Sequence, residues 1–298
     1  LEDPELIRMM KLIAKHQGIL AAHAENGAII DYLEGLYQSQ GLDSPEYIAK
    51  SHPNLSEAEA IFRLLTLGAT TRCPIYIPHI SCAESIAVVE IFKKWGQPLF
   101  YTETCPHYLT LTDDVFNDMG TPAKMSPPLR KRKDIEVLWN AVKSGLIDVI
   151  ASDAAGHLQS ANEPLREKVF SAPNGIPGME SLVKLIYEEG VNCQKINLHT
   201  MVKLLCENPA RIFGLYPQKG VLEVGSDADV VIFNPDLLYT IPQKNPHLNV
   251  DYSMYSGREG KGAAITTILR GDIIMNNGKL LGTSGNGRFV RGKEIKTP

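Results

Sequence analysis

Apolar and polar positions along the chain follow two periods. Leu6, Met9, Met10 and Ile13 recur at i, i+3, i+4 and i+7 behind an Asp3-Pro4 start, which predicts an amphipathic helix capped by Asp3 and ended by Gly18. Ala58, Ile61, Phe62 and Leu65 give a second stripe, with Ser56 and Glu59 at capping-box spacing and Gly68 as its stop. A third helix is expected from Ala83 to Trp95, closed by Gly96. A fourth carries Ile135, Leu138, Trp139 and Val142 on one face, capped by Asp134 and closed by Gly145. Between them lie short apolar runs: "ILAAH" to His23, "IYIPHI" with His79, "PLFYTETC", and "DVIASD" to Asp153. Such runs, apolar on both faces and alternating with helices, predict a parallel sheet covered by helices.

Two further helices are expected, Gly178 to Glu188 and Thr200 to Phe213, after a long loop, "AAGHLQSANEPLREKVFSAPNGIPG". The texture changes near Gly214. "GSDADVVIFNP", "AAITTILRGDIIMNNGKLLG" and the turn pairs Gly271-Asp272 and Asn277-Gly278 predict hairpins, followed by a Gly-rich tail that is mobile or draped over a neighbour. The expected division is residues 1–214 as an α/β part and 215–298 as a small β-rich domain.

The composition, 44% hydrophobic and 21% charged with net charge −4, is that of a globular protein. It gives no reason to expect nucleic acid or an acidic membrane as partner. The basic run Leu129 to Lys133 reads as a solvated loop or helix start. The five cysteines are odd in number and none form CxxC pairs, so no disulfide framework or zinc knuckle is indicated, and a reducing cytoplasmic setting is expected. No apolar run is long enough for a membrane span.

The chemistry lies at the strand ends. A buried strand that finishes on Asp153 needs a partner for its carboxylate: a cation, a donor network or a metal. In a parallel barrel the strand C-termini converge on the face where active sites sit. His23, His79 and Asp153 together would suit a hard-to-borderline divalent metal, with zinc the leading candidate.

Six short words occur in order: "HAENG" from His23, "PHIS" from Pro78, "ETCPHYLTL" from Glu103, "SPPLR" from Ser126, "IASD" from Ile150 and "PNGIPGME" from Pro173. Together they resemble the cyclic amidohydrolases, in the D-hydantoinase and dihydropyrimidinase branch. "FGLYPQKGVLEVGSDADVVIFNP" resembles that family's passage from barrel to β-sandwich. Dihydroorotases and allantoinases share parts of the string.

The resemblance implies a (β/α)8 TIM-type barrel, of which this chain carries only the later strands, plus a small β-sandwich. It implies a two-zinc hydrolase that opens a cyclic amide to an N-carbamoyl amino acid. By matching position, His23 and His79 would hold one zinc. Asp153 would bind the other and shuttle the proton, and Ser126 and Asn174 would hydrogen-bond the ring amide through backbone groups. Relatives are homo-oligomers, commonly tetramers.

Two departures stand out. The family has a His-x-His pair and a carboxylated bridging lysine, and neither has a matching position here; none of the eight histidines lie at i, i+2. The expectation is that this sequence begins midway through the barrel and that the chain alone is inactive. Further, Ala154 and Ala155 follow Asp153 where the family has histidine; His157 either replaces that group or is a polar loop residue. The rival readings are a non-enzymatic dihydropyrimidinase-like scaffold and a related enzyme acting on allantoin or dihydroorotate.

Overall fold

Four short strands, β1 (Leu20–Ala21), β2 (Ile75–Ile77), β3 (Phe100–Thr104) and β4 (Val149–Ile150), pair in chain order and all in parallel. Their register runs from Leu20 to Ile75, from Ile75 to Phe100 and from Thr104 to Ile150. The computed structural model describes residues 2–96, 98–159, 168–244 and 246–293, so residues 160–167 of the long loop lie outside the described residues. Ile75, Tyr76 and Ile77 are all buried, as expected of a strand covered on both sides.

Helix α1 (Asp3–Lys15) precedes β1, and α2 (Gly27–Ser39), α3 (Tyr47–Ser51), α4 (Asn54–Thr71), α5 (Ala83–Trp95), α6 (Pro106–Thr110), α7 (Val115–Met119) and α8 (Arg132–Ser144) fill the crossovers. This is a section of a TIM-type barrel wall. Pairs of strands separated by helices must run parallel, because the chain crosses back over the sheet before each new strand.

A second, antiparallel sheet follows: β5 (Val230–Thr240), β6 (Glu259–Leu269), β7 (Asp272–Asn276) and β8 (Lys279–Leu280). The hairpin turns expected near Gly271 and Asn277-Gly278 are present, with Arg270 and Asn277 both left-handed. The sheet packs on the helical layer through Phe233 against Tyr187 and through the Tyr239 hydroxyl donating to the Lys184 carbonyl at 3.0 Å. Gly262 permits this approach: at φ +102° a β-carbon would meet the Tyr187 ring at 2.2 Å. The C-terminal tail returns to the end of the helical part, where the Lys293 amide donates to the Gly214 carbonyl at 2.8 Å.

Several local expectations are overridden by packing. Helix α4 starts at Asn54, and no side chain caps it. Ser56 donates instead to the Pro53 carbonyl at 2.8 Å, and Glu59 accepts from Asn26 at 2.7 Å, so the capping box does not form. Gly68 does not end α4, which runs to Thr71; a β-carbon there would lie 2.8 Å from Ile75 Cγ1, so this glycine admits β2 to the helix. Asp3 lies inside α1, whose N-cap position is Glu2. Asp134 lies inside α8 and accepts from the Ala83 amide at 3.0 Å and from Asn54 at 3.1 Å, tying α8 to α5 and α4. The basic run is not a solvated stretch throughout: Arg130 is buried, whereas Lys131 is exposed and pairs with Asp113 at 2.7 Å.

Candidate metal centre at the strand ends

His23 follows β1 by two residues, His79 follows β2 by two, Cys105 follows β3 directly and Asp153 follows β4 by three. Parallel pairing in register therefore brings the four to one rim. His23 Nδ1 and His79 Nε2 face each other at 3.1 Å. Two nitrogens on a tetrahedral zinc, each at about 2.0–2.1 Å, stand about 3.3–3.4 Å apart. The pair is thus spaced as two donors to one small cation, and neutral imidazoles suit a borderline metal.

The turn at His79 is built by β3. The Ile80 amide donates to the Glu103 carbonyl at 2.7 Å, and Thr104 Oγ1 donates to the Ile80 carbonyl at 2.7 Å. The Glu103 carboxylate accepts from the Tyr76 hydroxyl and, at 3.4 Å, from the His79 amide. These bonds hold His79 at φ +44°, and Asp153 is likewise left-handed at φ +45°. A non-glycine residue in that region stores about 1–3 kcal/mol, and such strain gathers at functional sites. Burial, with the charge of His23 adding, holds the His79 imidazole down to about 4, so it is neutral at pH 7.

Asp153 is not interred, contrary to the expectation from its apolar strand; it lies beyond the strand and is exposed. The protein packed beneath it still raises its carboxyl above the usual range, against the pull of His23. Its oxygen groups with the Cys105 sulfur and a ring nitrogen of His107, all within 4.8 Å of one another. Cys105 and His107 escaped the sequence reading as ligand types, although both lie in "ETCPHYLTL". Burial pushes the Cys105 thiol well above its ordinary pKa.

His107 is wholly buried and its Nε2 has no partner among the described residues. Burial, with His79 adding, holds it down to about 3. The unfolded chain therefore takes up a proton near its ordinary pKa of about 6.5 while the folded chain does not, so stability falls as pH drops from there toward 3. This histidine alone is expected to remove about 2 kcal/mol between pH 7 and pH 5. Urea unfolding at the two pH values should show that loss shrinking by about the same amount in His107→Gln.

Asn174 is exposed, and its carbonyl accepts from His157 Nε2 at 3.0 Å. His157 thus reaches the "PNGIPG" loop rather than lying free. The loop is stitched to the segment that follows Asp153 by the Ala155 amide donating to the Ile176 carbonyl at 3.0 Å. Its Gly175 amide donates to the Lys124 carbonyl at 2.9 Å, two residues before Ser126, which is partly buried. Behind His23 lies a set of side chains not anticipated from sequence. Glu25, His52, Glu57 and Arg130 are buried polar groups, each with a partner. Burial alone would raise the Glu25 carboxyl, but the approach of His23 and the hydrogen bond with His52 hold it at about 2.

Residues 1–274 match the profile of the amidohydrolase family. The chain belongs to that family. The relatives of this amidohydrolase chain lie in the hydantoinase and dihydropyrimidinase branch. A D-hydantoinase of Ralstonia pickettii is 37% identical over 300 residues, covering 99% of this chain and 65% of that protein. A D-phenylhydantoinase of Escherichia coli O1:K1 is 35% identical, covering all of this chain and 65% of its own length. The crystal structure of dihydropyrimidinase from Brevibacillus agri superposes with a TM-score of 0.96 at 32% identity, over 100% of this chain and 65% of that one. The amidohydrolase chain therefore spans about two thirds of the length of the relatives it matches. No helix among the described residues is long and apolar enough to cross a membrane.

Proposed function

We propose that the chain serves a metal-dependent hydrolase that opens the cyclic amide of hydantoins or dihydropyrimidines to N-carbamoyl amino acids. The observation that carries this reading is the 3.1 Å approach of His23 Nδ1 to His79 Nε2 at parallel strand ends. Its support from kinship is the 37% identity to a D-hydantoinase.

In this reading His23 and His79 hold one divalent cation, zinc by preference, and Asp153 serves a second. Zinc held there supplies a Lewis acid for the ring carbonyl and lowers the pKa of water. Asp153, open to solvent and raised in pKa, takes up a proton and returns it to the departing ring nitrogen. Ser126 and Asn174 orient the ring amide through backbone groups, the latter beside His157. The complete enzyme would be a cytoplasmic homo-oligomer, as a tetramer if it follows the pattern implied by the resemblance.

The first test is zinc per chain by elemental analysis on protein purified without added metal, together with ring-opening assays on hydantoin, dihydrouracil, dihydroorotate and allantoin. Bound zinc is expected, falling by at least tenfold in affinity in His23→Ala and His79→Ala, on the order seen when site groups are removed. The isolated 298-residue chain, with no His-x-His pair, is expected to turn over none of the four. Zinc-free protein would sink the metal reading and favour a scaffold.

A further inference from the structure

His23 has two ring nitrogens with different neighbours. Nδ1 faces His79, while Nε2 lies 3.1 Å from Glu25 Oε2. The other Glu25 oxygen lies 3.0 Å from His52 Nδ1, and His52 Nε2 lies 3.5 Å from Glu34 Oε1. Glu25 is the most sealed member of this line: its side chain is 2% exposed, against 46% for His23, 8% for His52 and 27% for Glu34. The three members behind His23 come from different places. Glu25 follows β1, Glu34 stands on α2 and His52 follows α3. Asn26, next to Glu25, caps α2 by accepting from the Ile29 amide at 3.2 Å, which fixes the backbone of the "HAEN" turn. The His52 carbonyl accepts from the buried Arg130 guanidinium, which anchors the inner end.

An ionised carboxylate can only accept hydrogen bonds. The carboxylate 3.1 Å from Nε2 therefore favours the ring proton on that nitrogen, which leaves the Nδ1 lone pair directed at His79. Carboxylates behind ligand histidines set tautomer and ring orientation in this way. We propose that Glu25, braced by His52 and Glu34, is the positioning residue that presents His23 to a metal through Nδ1. This rests on the reading of His23 as a ligand. Ala and Gln at position 25 differ in what they retain: alanine removes the acceptor, whereas glutamine keeps one carbonyl oxygen for His23.

The test uses the full chain and two readouts. Imidazole nitrogen-15 spectra of the metal-free protein, with His23 assigned by its loss in His23→Gln, are expected to show an Nε2-protonated ring in the wild type. Glu25→Ala is expected to show a mixture of tautomers and to bind Zn2+ about 10- to 100-fold more weakly in competition with a chromophoric chelator. Glu25→Gln should restore most of both. Should Glu25→Ala fail to fold, His52→Gln leaves the carboxylate in place but unbraced and is expected to weaken Zn2+ binding about tenfold, the lower end of that range. Wild-type tautomer and affinity in the folded variants, while His23→Ala loses zinc, would overturn the positioning role and leave the metal reading standing. Zinc binding unchanged in His23→Ala would overturn the metal reading, and this inference with it.

Discussion

Arg130→Met is expected to destabilise the protein by about 3–5 kcal/mol, the effect of leaving a buried charge without its counterion. Arg130 is 5% exposed and gives all of its reach to protein. Nε donates to Ser81 Oγ at 2.9 Å, Nη2 to Glu57 Oε2 at 3.1 Å, and Nη1 to the His52 carbonyl. Glu57 is equally sealed, with a side chain 2% exposed, and its other oxygen accepts from the Ser81 amide at 2.9 Å. The group joins α4, the turn after β2, the end of α3 and the segment before α8 beneath the rim that carries His23 and His79. Methionine fills the volume but strands Glu57. Replacing both, as in Arg130→Met with Glu57→Leu, should recover much of the loss, because a well-packed apolar pair has no charge to strand. Urea unfolding of the two single variants and the double variant gives the coupling. A loss below about 1 kcal/mol for the single change would show that water or another cation reaches Glu57.

Gly175→Ala is expected to destabilise by about 2–5 kcal/mol and to displace the loop that carries Asn174. Gly175 sits at φ +129°, and a β-carbon there would stand 2.1 Å from the Ala155 carbonyl oxygen and 2.8 Å from the Ala155 β-carbon. The first obstacle is backbone, which cannot rotate away. The neighbouring bridge between Ala154 and Ile176 is what holds the loop against the strand extension after Asp153. Relief of the clash must open that bridge, so the stability loss and any loss of metal binding at Asp153 should appear together. Gly178→Ala is the control: its φ is −155° and the nearest atom to a β-carbon is the Ser152 carbonyl oxygen at 3.8 Å. Calorimetric unfolding that ranked the two alanine variants equally would contradict this account.

The alternation of helix and strand was legible because it depends on neighbours a few residues apart. Leu6, Met9, Met10 and Ile13 need only one helix to lie on one face, and α1 spans them. Gly96 and Gly145 end α5 and α8 in the left-handed conformation expected of helix-terminal glycines. Gly68 has the same chemistry, but there a strand needs the space, and nothing local distinguishes the two uses. Ser56, Glu59 and Asp134 were read as caps from spacing alone, yet each is used by a partner fixed by folding. Polar side chains that can cap a helix can equally bridge two elements, and the stronger tertiary partner prevails.

The candidate centre divides in the same way. The sequence by itself determined that His23, His79 and Asp153 follow apolar strands, and parallel strands in register must deliver such residues to one rim. It also determined the family, through words whose order spans the chain. Only the tertiary structure decided which ring nitrogens meet, that Cys105 and His107 stand with Asp153, and that Arg130 leaves its basic run for the interior. It alone placed Glu25, His52 and Glu34 in line behind His23, from three separate elements. The physical reason is range. Periodicity records which face of an element is apolar, whereas the partner of a buried polar atom is set by desolvation, which acts only once distant segments have closed around it.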